Sequence, residues 1–256
     1  MSIIQSILFL CPVIFLASFV DAISGGGGLL SLPAFLFTGM PVHNAYGCNK
    51  FSCNISTWMS TYRYYKSGNM DRRVAFTAGV AVFLSSICAS RIVLSLPDQF
   101  LRVMILVSMP FVAALILISR KYPQENQSHT ISGKKRYGFC VLIGIIVGFY
   151  DGLLGPGSGT LAILLYTKLF KYDLKTASGN AKVAVLASTL AATLSYILAG
   201  KVIWVVTIPV TICGVLGSYL GSGMAIRKGA RFIRPMMLLI AFLLILKMVL
   251  DLTGIL

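Results

Sequence analysis

The stretch Phe19-Val20-Asp21-Ala22-Ile23-Ser24-Gly25-Gly26-Gly27-Gly28 places one carboxylate deep in apolar sequence and follows it with residues that do not sustain a helix. It returns 130 residues later as Phe149-Tyr150-Asp151-Gly152-Leu153-Leu154-Gly155-Pro156-Gly157-Ser158-Gly159. Apolar segments flank both copies, so each break is expected within a membrane. Non-helical backbone at that depth is tolerated only where protein or a water-filled cavity satisfies its polar groups. An intramembrane carboxylate marks a functional site by default.

Composition agrees. The chain is 57% hydrophobic and 11% charged, with a mean hydropathy of +0.87, against roughly 25% charged residues in soluble domains. This implies an all-α polytopic membrane protein, whose lipid partner is the bilayer. The net charge of +15 does not point to nucleic acid. The basic residues fall between apolar blocks, where they set topology, and no basic stripe interleaves with aromatics. The N-terminus lacks a basic n-region, so the first apolar block is expected to be retained rather than cleaved. Six cysteines are scattered through apolar segments without a C-x-x-C and read as packing residues.

The apolar blocks lie at about 2–38, 45–62, 74–94, 101–118, 137–169, 177–198, 202–226 and 232–250. The second is unusually polar, with Asn49, Lys50, Ser52, Asn54, Ser56, Thr57 and Ser60. Residues 120–136, ending in Lys134-Lys135-Arg136, form a polar basic linker between a first repeat, 1–119, and a second, 137–256. The halves match in order at a spacing of 132: Ala45 with Ala177, Gly47 with Gly179, Lys50 with Lys182, Ser56-Thr57 with Ser188-Thr189, Ser86 with Ser218 and Ser90 with Ser222. Such tandem duplications are common in secondary transporters.

Charge phase bears on how the halves are oriented. The first half is basic at 63–73 and in the linker; the second is basic at 168–175 and 227–234. With all four regions in the cytoplasm, blocks one and five must each leave and return as a hairpin with its tip at the glycines. Each half is then a hairpin plus three spans, the halves are inverted repeats, and the termini lie outside the cytoplasm. Thirty-three residues cannot make two full spans of about 20 residues, but they can make one span and a half-helix. The competing arrangement is eight plain spans, parallel halves and both termini inside.

The two tips are the candidate site. A half-helix N-terminus presents free amides and positive dipole to an anion, and glycine lets backbone approach a ligand. Substrate-binding candidates are therefore Ser24, Gly25, Gly26, Gly27, Gly28, Gly155, Gly157, Ser158, Gly159 and Thr160. Asn49, Lys50, Asn180 and Lys182 on the polar spans complete the set. Asp21 and Asp151 are candidates for ion pairs with the lysines or for carrying a coupling proton. The alternative is structural: the glycines serve close helix packing and the charges lock hairpin to span.

The remaining polar residues carry less. Asn54, Ser56, Thr57, Ser188 and Thr189 either line a cavity or bind helices together. Arg91, Arg102, Arg234 and Lys247 fit snorkelling to the interface, and Trp58, Trp204, Tyr62, Tyr64 and Tyr65 fit aromatic belts. His43 and His129 have no partner at ligand spacing, so no metal or other cofactor is assigned. An enzyme is not expected: no G-x-G-D, G-x-S-x-G or P-loop signature is present.

On Asp21 to Gly28 with Leu32-Pro33, on Asn49-Lys50, and on Phe149 to Thr160, the chain resembles the sulfite exporter TauE/SafE family of bacterial membrane transporters; Gly200-Lys201-Val202-Ile203-Trp204 resembles one branch of it. The resemblance covers essentially the whole chain. It implies an inner-membrane secondary transporter of a small anionic substrate, linked in that family to sulfite and organosulfonates. A passive anion channel, or a transporter of another small organic anion, is the alternative.

Overall fold

The computed structural model describes residues 1–101 and 133–239, with isolated positions between 103 and 131 and residue 242. Eight helices are delimited within it: α1 (Ile3–Ser24), α2 (Gly28–Phe37), α3 (Val42–Lys66), α4 (Arg72–Ser95), α5 (Gly133–Leu153), α6 (Ser158–Phe170), α7 (Leu174–Leu198) and α8 (Trp204–Lys228). Among the described residues, α1, α4, α5, α7 and α8 are long and apolar enough to cross a membrane. Their outer faces carry exposed Leu8, Phe76, Leu84, Val205 and Leu216, as lipid contact requires. The molecule is a polytopic helical membrane protein.

Both predicted breaks are real. Helix α1 stops because Gly25 turns left-handed (φ 75°) and returns its amide to the Asp21 carbonyl at 2.8 Å. Helix α5 stops before Gly155 (φ 85°), which precedes Pro156. The return helices α2 and α6 have 10 and 13 residues, or about 15 and 20 Å at 1.5 Å per residue, short of the roughly 30 Å hydrocarbon core. Eight plain spans therefore do not describe this chain.

Close packing of small residues sets the neighbours. Gly144, Gly148 and Gly152 lie one turn apart on α5 and seat α4: a Cβ at Gly148 would sit 2.4 Å from the Val82 carbonyl oxygen. Gly217 and Gly221 of α8 do the same against the Phe15 and Phe19 carbonyls of α1. This is the small-residue packing that lets membrane helices approach.

Contacts also give the directions. Asn54 of α3 bonds Leu186 and Thr189 of α7, and Thr61 bonds Lys182, so α3 and α7 run antiparallel. Phe51 meets Trp204 while Arg63 meets Tyr219, so α3 and α8 run parallel. Phe9 against Phe37 and Phe139 against Phe170 mark α1/α2 and α5/α6 as antiparallel hairpins.

The described basic segments gather at one end of the bundle as a result. There Asp71, the N-cap of α4, receives Arg136 at 2.5 Å and the Tyr172 hydroxyl at 2.8 Å. Burial, then the Asp71 carboxylate, pushes the Tyr172 phenol up.

Several expectations need correction. Gly133 to Arg136 belong to α5, not to a linker, and Arg63 lies in the last turn of α3, stacked on Tyr219. Tyr64 is fully buried and donates to the Ala22 carbonyl, so it is a core residue and no part of an aromatic belt; Trp58, Tyr62, Tyr65 and Trp204 are exposed. His43 pairs with Asp98 at 3.4 Å. Arg102, His129 and Lys247 lie outside the described residues.

Candidate functional site

The two tips meet inside the bundle. The Thr160 amide donates to the Gly25 carbonyl at 3.2 Å, and the Thr160 hydroxyl donates to the Ser24 carbonyl at 2.9 Å. A Cβ at Gly25 would lie 2.3 Å from the Gly159 carbonyl carbon, and one at Gly159 would lie 2.6 Å from the Gly25 Cα. Only glycine at both places lets the two backbones touch. Gly28 faces Pro156, and a Cβ at Gly155 would lie 3.2 Å from the Lys50 ammonium nitrogen.

The acid–base pairs cross between the halves. Lys50 on α3 meets Asp151 of the second tip, Nζ to Oδ2 3.0 Å, and also donates to the Asp151 carbonyl at 2.5 Å. Lys182 on α7 meets Asp21 of the first tip at 2.8 Å and also donates to the Asp21 carbonyl. Each lysine thus holds both the side chain and the backbone where the opposite hairpin turns. A lone charge at bilayer depth costs about 2.5–3.5 kcal/mol, and pairing with added hydrogen bonds offsets that cost.

The site hydroxyls are engaged within the protein. Ser24 donates to the Val20 carbonyl, Ser158 to Asp151 Oδ1 at 2.6 Å, and Thr160 to the first tip. The amide of Gly27 donates to Asp21 Oδ1 at 3.2 Å. Gly26 and Gly157 accept from Leu29 and Leu161, and the amides of Gly26, Gly28, Gly157 and Gly159 take no part in these tip bonds.

Between the tips and α3 lies a cavity of about 20 Å³, bordered by Asp21, Gly25, Gly28, Asn49, Lys50, Asp151, Gly155 and Ser158, with room for about one water molecule. Asn180 lies apart from it: its amide donates to the Thr176 carbonyl at 2.9 Å, and its Oδ1 is buried without a protein donor. The arrangement brings two lysines, two carboxylates and two helix starts together at one place, with Lys50, Asp21 and Asp151 bordering the cavity.

Five participants escaped sequence reasoning. Ser86 joins Ser188, which donates to Asp151 Oδ2 at 2.5 Å. Ser18, Ser31 and Ser218, with Cys53, wall a second small cavity beside Asp21. The pairing of Ser86 with Ser218 and of Ser56 with Ser188 across the repeat was the available signal.

A bundle of apolar spans around two buried, crossed ion pairs and two half-helix tips defines a multi-pass membrane transport protein. The chain belongs to the sulfite exporter TauE/SafE family, whose model matches residues 10–248. It is 32% identical over 237 residues to a probable membrane transporter protein of Haemophilus influenzae, covering 93% of this chain and 92% of that one. It is 30% identical over 247 residues to the probable membrane transporter protein YfcA of Escherichia coli K12, covering 94% and 89%. A probable membrane transporter protein of Sinorhizobium, ORF9, is 25% identical over 244 residues. No solved structure matches the chain significantly.

Proposed function

We propose that the protein is a secondary transporter of the bacterial inner membrane that exports a small sulfur-containing anion, sulfite or an organosulfonate, in step with protons. The observation that carries this reading is the meeting of both tips with both crossed ion pairs beside one small cavity. Two helix starts and the Lys50 ammonium beside the cavity favour an anion there. A cavity too small for sulfite suits an occluded stage of alternating access rather than an open pore. The sulfur-containing class is supported by the family description.

The reading is tested by flux into proteoliposomes, with sulfite, sulfonates, thiosulfate and carboxylates, with and without a pH gradient. Sulfite or sulfonate flux that follows the gradient is expected, and Lys182→Ala should abolish it without stopping membrane insertion. Passive anion conductance, or unchanged flux in Lys182→Ala, overturns it.

In the same proposal the two halves are inverted repeats. The antiparallel course of α3 and α7 and the collection of basic segments at one end support this. The positive-inside rule then puts that end in the cytoplasm and the N-terminus outside. A single cysteine placed at 67–71, in a variant lacking the native cysteines, should resist an impermeant thiol reagent in intact cells. Labelling from outside overturns the orientation.

A further inference from the structure

Asp21 and Asp151 hold equivalent places in the repeat, but the protein surrounds them differently. From that difference we infer that Asp21 is the carboxylate that takes up and releases the coupling proton through a hydroxyl-lined water cavity, while Asp151 remains a fixed ion pair. The inference rests on the transporter reading above and assigns the coupling to one residue.

Asp151 borders the central cavity but is bonded at both carboxylate oxygens. Its Oδ1 accepts from Ser158, its Oδ2 from Ser188 and Lys50, and its side chain is 3% exposed. The matching positions around Asp21 lack both hydroxyl bonds. Where the second tip has Ser158, the first has Gly28, which has no side chain to donate. Where Ser188 bonds Asp151, its repeat partner Ser56 makes no bond to Asp21: its Oγ is buried with no protein partner. Asp21 keeps Lys182 and the Gly27 amide, and its side chain is 21% exposed.

What replaces the missing bonds is space. A cavity of about 10 Å³ opens beside Asp21, walled by Ser18 of α1, Ser31 of α2, Ser56 and Thr57 of α3, and Ser218 of α8. That is about the volume one water molecule needs, and the wall offers the several polar contacts that a buried water requires. The orphaned Ser56 hydroxyl calls for such a partner, since buried polar groups are almost always hydrogen-bonded. Asp21, Cys53 and Thr57 also border the central cavity between the tips, so the carboxylate stands between the two spaces.

The groups facing Asp21 can be named from each side. Helix α7 presents Lys182; α3 presents Lys50, Cys53 and the Tyr64 phenol, which bonds the neighbouring Ala22 carbonyl; the second tip presents Asp151 across the central cavity; α2 and α8 present the hydroxyls of Ser31 and Ser218. Of these, Lys182 alone is in ion-pair contact with Asp21. A proton arriving on cavity water forms an O–H bond on the Asp21 carboxylate as the water gives up that proton, with no electron transfer. Lys182 keeps its own proton and loses its counter-charge. The first tip then carries one net positive charge, which an anion in the central cavity can match. Anion and proton are thereby bound together.

Infrared difference spectra of the full chain in proteoliposomes, acid minus neutral, test this without any substrate. Exposed carboxylates such as Asp98 add their own carbonyl stretch to every spectrum; beyond it, one carbonyl band of the wild-type spectrum should be lost in Asp21→Asn and kept in Asp151→Asn, and a spectrum that Asp21→Asn leaves unchanged overturns the inference. Should Asp21→Asn fail to fold, Asp21→Glu should keep the band at a shifted frequency and titration midpoint, and an unshifted band overturns it. A wild-type protein that moves no sulfite or sulfonate yet shows the Asp21 band sinks the transport reading alone. Flux that still follows the pH gradient in Asp21→Asn sinks this inference alone.

Discussion

Helices α3 and α7 occupy matching places in the two halves, have 25 residues each, and carry their lysines eight positions after their first residues. They are built oppositely. Around Lys182, α7 runs Ala181, Val183, Ala184, Val185, Leu186, and it is apolar enough to cross a bilayer. Around Lys50, α3 runs Asn49, Ser52, Cys53, Asn54, Ser56, Thr57, and it does not meet that measure. Its polar face is buried all the same, because α7 and α8 cover it and supply the Leu186 and Thr189 acceptors for Asn54 and the hydroxyl of Ser218 for the Ser56 carbonyl. A helix this polar is stable at membrane depth only when neighbours take up its polar groups. The more polar helix thus holds the ion pair with more hydrogen bonds, which borders one water-sized space, and the apolar helix holds the one whose carboxylate borders two.

The sharpest way to break that comparison is to remove each lysine and measure unfolding in detergent. Lys50→Ala leaves Asp151 buried among Ser158 and Ser188 with no cation. Stranding one member of a buried pair costs about 3–5 kcal/mol. Lys182→Ala leaves Asp21 beside two cavities, where water relieves part of the loss, so its destabilisation should be smaller. The double variant Lys50→Ala/Asp151→Ala should recover much of what Lys50→Ala loses, because no lone charge remains. Equal losses for the two lysines would show that the two centres are equally sealed.

Much of this organisation is legible in the residues. The 37 residues of 2–38 and the 33 of 137–169, each interrupted by glycines, are too few for two spans, and the structure has a span and a short return helix at each place. The opposite charge phase of the halves anticipates basic segments at one end, as Asp71 with Arg136 and Tyr172 shows. What the residues do not reveal is which lysine faces which carboxylate. Lys50 lies 29 positions from Asp21 and 101 from Asp151, and chain distance says nothing about how two hairpins interleave.

Hydroxyls are harder still. In apolar helices Ser and Thr commonly donate to the carbonyl four residues back, as Thr167, Thr207 and Ser222 do here. Ser188 and Ser218 look the same in sequence but reach across to Asp151 and Ser56. Tyr64 misled for a related reason: its place beside exposed Tyr62 and Tyr65 suggested an interface, but helical rotation points it at α1.

A smaller effect sharpens the comparison furthest. Ser188→Ala removes a donor from Asp151 and breaks the link to Ser86, leaving a buried carboxylate oxygen with one partner fewer. The expected loss is about 1–3 kcal/mol, the cost of a buried polar group deprived of its bond. Ser56→Ala deletes the repeat-equivalent hydroxyl, which has no protein partner, so its stability should stay within about 0.5 kcal/mol of wild type. The two substitutions are chemically identical and occupy matching positions, so intrinsic helix propensity and lost side-chain volume largely cancel between them. The difference in unfolding midpoint then reads how tightly each carboxylate is held. A Ser56→Ala loss as large as that of Ser188→Ala would mean that the Ser56 hydroxyl is bonded as firmly as that of Ser188, and the asymmetry between the two hydroxyls would disappear.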